Sequence, residues 1–63
     1  MNVFEALYAL KDMKKPDLPK PVLLAIENLQ MDLGCCDYWS APLSGSDLRK
    51  FEAIQTMLAS VHA

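Results

Sequence analysis

Two neighbouring thiols, Cys35 and Cys36, are the most reactive side chains in the sequence. Joined to each other they would close a strained ring able to act as a redox switch. As thiolates they could hold a soft metal, but a closed zinc site takes four ligands. Only Asp37 and His62 remain to complete one, and no C-x-x-C or H-x-x-x-H spacing is present. Neither thiol has a base or metal beside it in sequence to activate it. Adjacent cysteines also cannot staple distant segments, so a disulfide scaffold within one chain is excluded. The pair is expected to pack with one thiol in the core as a small hydrophobe and the other partly exposed.

The remaining reactive groups are dispersed. His62 is the only histidine and lies next to the last residue, where a fraying end does not hold the geometry that general-base work requires. The carboxylates fall singly on the outer sides of the expected helices, so no paired-acid site is supported. Ser40, Ser44 and Ser46 lack the G-x-S-x-G context of a nucleophile elbow. No catalytic, metal-binding or cofactor-binding residue is assigned, and the chain is not expected to be an enzyme.

Two groups suggest binding. Lys11, Lys14, Lys15 and Lys20 surround a turn and could contact phosphates. A helix-turn-helix reader, however, places a polar, basic helix after its turn, and here the following helix is the most apolar in the chain. These lysines are explained more simply by a helix C-terminus, which favours cations, and a solvated turn. Tyr38 and Trp39 lie together in a loop. Trp and Tyr are enriched at binding hot spots, and loops are where such residues meet partners. Trp39 would otherwise fold back over the gap between the second and third helices.

The elements that position these groups follow from periodicity. Residues 3–14 are expected to form a helix with Val3, Leu7 and Leu10 on one face and Phe4 and Tyr8 beside them. Asn2 and Glu5 supply a capping box. Pro16 stops the helix, because a residue preceding proline avoids the α region. Pro16, Pro19 and Pro21 stiffen the connector, and a short link favours antiparallel helices. A second helix over about 21–33 carries Val22, Ile26, Leu29 and Leu33 at spacings of four, three and four. One of Pro19 and Pro21 is expected at its first position, and Gly34 is expected just past its end in the left-handed conformation. Residues 37–46 read as a loop punctuated by Pro42 and Gly45. Ser44 is the expected N-cap of a third helix over about 45–62, with Leu48, Phe51, Ile54, Leu58 and Val61 inward. The fold class is therefore all-α: one domain over 1–63, a small three-helix unit.

Composition bears on partners. With 63 residues, 52% of them apolar, the chain has more hydrophobic surface than a domain of this size easily buries. Leu23, Leu24 and Ala25 widen the apolar stripe of the second helix. Val22, Leu23, Ile26, Leu29 and Leu33 are thus the expected interface of a homodimer, the commonest way to cover such a face. A net charge of −2, eight acids against six bases, disfavours nucleic acid as a partner. No apolar run approaches the roughly 20 residues of a membrane span, and the N-terminus has no secretory signal. A cytoplasmic protein is expected.

The runs MNVFEALYALKDMKK and DYWSAPLSGSDLRKFEAI resemble the short accessory proteins that lambda-like temperate phages encode in the exo–xis region. The resemblance is to the whole chain and brings no residue roles with it. It implies an early-expressed, non-enzymatic helical protein that influences host physiology or the choice between lysis and lysogeny. The function expected is binding to a host protein, with Tyr38 and Trp39 as anchors. One alternative is a nucleic-acid-associated transcriptional or replication regulator working through Lys11, Lys14, Lys15 and Lys20. Another is a thiol switch at Cys35 and Cys36.

Overall fold

The computed structural model describes residues 1–35 and 38–62, apart from the side chain of His62. Cys36, Asp37 and Ala63 lie outside the described residues, and with them the expected packing of the two thiols, one in the core and one partly exposed, and the alternative of a switch between them. Three helices follow in order: α1 (Val3–Met13), α2 (Lys20–Gly34) and α3 (Gly45–His62). No strand forms among the described residues, so the expected all-α, three-helix class is the one observed.

The local signals act where the sequence places them. Asn2 caps α1: its side-chain oxygen accepts from the Glu5 N–H at 2.8 Å, and the Glu5 carboxylate accepts from the Asn2 N–H at 3.0 Å. Ser44 opens α3, its hydroxyl accepting from the Asp47 N–H at 3.2 Å. Between α1 and α2, Leu18 turns into the core and is buried.

Two details at the ends of α2 differ from expectation. Its N-cap is Pro19 and its first helical residue is Lys20, so Pro21 stands second. The second N–H of a helix also lacks a helical partner, so proline loses nothing there. At the other end Gly34 stays helical, and no described glycine has a positive φ. The chain leaves through Cys35 (φ −85°, ψ −3°), whose N–H donates to the Met31 carbonyl at 3.2 Å. A right-handed exit of this kind needs no glycine.

The core draws on all three helices and the connector. Val3, Ala6 and Leu10 come from α1, Leu18 from the turn, Val22, Ile26, Leu29 and Leu33 from α2, and Phe51 and Ile54 from α3. The start of α1 meets the loop that follows α2, and Lys14 at the end of α1 pairs with Glu27 at 3.4 Å, so α1 and α2 run antiparallel. Lys50 reaches Asp32 at 3.3 Å, while Ala25 and Leu29 share a groove with Ile54 and Met57, so α2 and α3 also run antiparallel.

α2 is the central helix, and the stripe expected to meet a second copy lies in the chain's own core. Val22, Ile26, Leu29 and Leu33 are each at most 5% exposed, inside the chain's own core, and Leu23 is half-buried against it. A second copy could reach those four side chains only if the bundle opened. α1 and α3 cover the stripe from two sides. The apolar residues of α2 left at the surface are Leu24 and Met31.

α3 is longer than its contact with the core. Its 18 residues span about 27 Å, and among its described side chains only Phe51 and Ile54 are buried. Leu58 is half-buried, while Leu48 and Val61, expected inward at the two ends, are exposed.

Candidate functional site

Every helix begins with backbone N–H groups that have no helical acceptor. In α1 all four are satisfied, and the way this is done builds the most distinctive surface of the protein. The capping box takes the N–H groups of Asn2 and Glu5. Those of Val3 and Phe4 donate to carbonyls of the loop after α2: Val3 to Ala41 at 3.0 Å and Phe4 to Trp39 at 2.8 Å. The Leu43 N–H donates back to the Met1 carbonyl at 3.2 Å, so Asn2 and Pro42 form an antiparallel bridge. Residues 39–43 are thereby clamped along the N-terminus of α1.

The clamp fixes Trp39 beside Phe4, their ring centroids 6.5 Å apart, and Phe4 lies 6.2 Å from Tyr8 one turn along the helix. Both separations fall in the range of favourable aromatic pairs. The three rings form a continuous row from the loop onto α1, yet they stay 49%, 52% and 68% exposed for Trp39, Phe4 and Tyr8. About half to two thirds of each of three aromatic side chains amounts to roughly 300–400 Å² of accessible surface. A patch of that size on a small soluble domain is often functional.

Of the expected anchors, Trp39 belongs to this row. It packs on α1 rather than over the gap between α2 and α3. Tyr38 is 74% exposed and precedes the clamp. Phe4 and Tyr8 are residues that the sequence reading placed at the edge of the buried face. Their register held the signal: Phe4, Tyr8 and Lys11 step by four and three, so the rings share a stripe with a lysine rather than with Leu10.

Beside the row runs a groove on α1 lined by Phe4, Glu5, Tyr8, Ala9 and Asp12. Glu5 and Asp12 stand one turn to either side of Ala9 along the helix. Around the helix axis the order is Phe4, Tyr8, Asp12, Glu5 and Ala9, so the two carboxylates lie between the rings and the alanine.

The lysines do not gather into one site. Lys11 on α1 and Lys15 just past its end flank Tyr8 and Asp12, Lys14 is paired with Glu27, and Lys20 opens α2. Cys35 is an exposed free thiol at the end of α2. Among the described residues no group of three or more His, Cys, Asp or Glu side chains is placed to hold a metal ion. No helix of the described chain is long and apolar enough to cross a membrane. The chain matches no protein-family model, no curated protein and no solved structure.

Proposed function

We propose that this protein is a non-enzymatic interaction module that binds a protein partner through the aromatic row Trp39–Phe4–Tyr8. The row's exposure carries this reading. Three large rings kept half in water have an unfavourable hydration that burial in an interface would relieve. Trp and Tyr are also the side chains most enriched where interfaces concentrate their binding energy. The hydrogen bonds from Val3 and Phe4 to the loop hold the rings in place beforehand, which lowers the entropy lost on binding.

The resemblance to short accessory proteins of lambda-like phages supports a host protein as the partner and the host cytoplasm as the place of action. In this reading the protein modulates a host process by occupying a surface. Self-association belongs to the proposal only through side chains at the surface, because the α2 stripe is already covered.

The test is capture of partners from a host lysate by wild type and by the Tyr8→Ala and Trp39→Ala variants in parallel. Selective loss of the same captured protein with both variants, each folded by circular dichroism, is expected. Unchanged capture by both would overturn the reading.

A further inference from the structure

We propose that residues 39–43 act as a strap. They release from α1 and redock as one unit while the three helices stay folded, and the aromatic row exists only in the docked form. What holds the strap is main chain. Val3 donates to Ala41 at 3.0 Å, Phe4 to Trp39 at 2.8 Å, and Leu43 to Met1 at 3.2 Å. Its side chains add little: Trp39, Ser40 and Pro42 are exposed, Ala41 and Leu43 are half-buried, and none of them belongs to the buried core. Release exchanges three main-chain bonds for bonds to water, each a small net loss, and gives up the contact of Trp39 with Phe4. It takes no fully buried side chain out of the core. Segments with so few buried contacts lie at the low end of local stability.

The flanking structure tolerates the motion. Val3 and Phe4 hold the first two positions of α1, where an N–H has no helical acceptor and water can take over. The Asn2–Glu5 capping box is made within the first turn and survives release. Beyond the strap, Ser44 stays fixed to α3, accepting from the N–H groups of Asp47 and Leu48. The strap also has internal order, because the Ala41 N–H donates to the Tyr38 carbonyl at 3.3 Å and closes a turn. Pro42 suits a segment that redocks. It faces Asn2 where neither residue donates across the bridge, so its missing N–H costs nothing. Its ring limits the conformations of the released strap, which favours return. A partner that covers Trp39 together with Phe4 and Tyr8 binds the docked form alone. Its affinity scales with the docked fraction, and its binding draws the strap shut. This consequence rests on the proposed role of the row; the strap itself does not.

The test is amide hydrogen exchange, read by NMR on the full chain and on a full chain in which the amide joining Val3 to Phe4 is replaced by an ester. The ester keeps every side chain and removes the N–H that donates to Trp39, a group with no helical acceptor. In the unmodified chain the Val3, Phe4 and Leu43 amides are expected to share one level of protection, at least about tenfold below that of Ile26 and Leu29 in α2. In the ester chain Val3 and Leu43 should lose protection together, by about two- to tenfold, the worth of one hydrogen bond, with helix content unchanged by circular dichroism. Val3 and Leu43 as protected as Ile26 would overturn the strap, because the segment would then open only with the whole fold. Loss at one of the two amides without the other, or at neither, would overturn it as well, because the bonds would not act as a unit. Neither readout involves a partner, so the aromatic reading stands or falls separately in the lysate assay.

Discussion

Ile26 offers the sharpest test of whether the α2 stripe belongs to one chain or to two. It is fully buried at the middle of the central helix, among residues from α1 and α3. A domain of 63 residues carries about 3–9 kcal/mol of stability at the usual share per residue. Ile26→Ala, at about 2–5 kcal/mol, would consume most of that, so the informative change is Ile26→Val. It removes one methylene from a side chain with no exposed surface, costing about 0.5–1.5 kcal/mol from lost transfer energy and an unfilled cavity. For a chain of this size a 1 kcal/mol loss lowers Tm by roughly 4–8 °C. It also moves the urea midpoint by up to about 1 M, given slopes of about 1 kcal/mol/M or more. The assay is thermal and urea unfolding of both proteins over a hundredfold range of concentration. A core inside one chain predicts the same Tm at every concentration. An interface between copies predicts a Tm that rises with concentration, because association stabilises by mass action. An Ile26→Val protein as stable as wild type would refute the burial argument, and a Tm that rises with concentration in wild type but not in Ile26→Val would refute its place inside one chain.

Other expectations follow from single features. Gly34→Ala should stabilise the chain by about 0.5–1 kcal/mol, since the residue is helical without a positive φ and an added Cβ meets nothing within 4 Å. A fall in the urea midpoint would count against that geometry. Asn2→Ala removes the acceptor for the Glu5 N–H and should cost about 1 kcal/mol, read as a lower Tm and faster amide exchange in the first turn of α1. Lys14→Met should change stability by less than about 1 kcal/mol, because its pair with Glu27 is nearly half exposed on both sides; a larger loss on denaturant unfolding would show that the pair does more than border the helices. Trp39→Ala should leave helix content intact while removing the one tryptophan beside Phe4, since the clamp is made by backbone groups. Helix loss in its circular dichroism spectrum would contradict that.

Everything governed by short-range chemistry was legible in the residues alone. The three helices lie within a residue of where periodicity, capping residues and prolines place them, because those signals act over one turn of backbone. Asn2, Glu5, Ser44 and Pro16 each have a local partner or a local steric effect, and each acts as expected. The inward stripe of α2 was equally legible, since a spacing of four, three and four defines a face whatever lies against it.

Which neighbour covers that face was decided only by the tertiary structure. The stripe Val22–Ile26–Leu29–Leu33 is as suited to a second copy as to α1 and α3, and only the antiparallel packing on both sides of α2 assigns it to the chain's own core. Tertiary structure also decided the exposure of Phe4 and Tyr8. Rotating Val3, Ala6 and Leu10 inward turns the stripe that Phe4 and Tyr8 share with Lys11 toward water. The docking of residues 39–43 on the start of α1 joins backbone groups more than thirty positions apart, Val3 to Ala41 and Phe4 to Trp39. No pattern of side-chain types reports such a pairing, because backbone donors and acceptors are the same at nearly every residue.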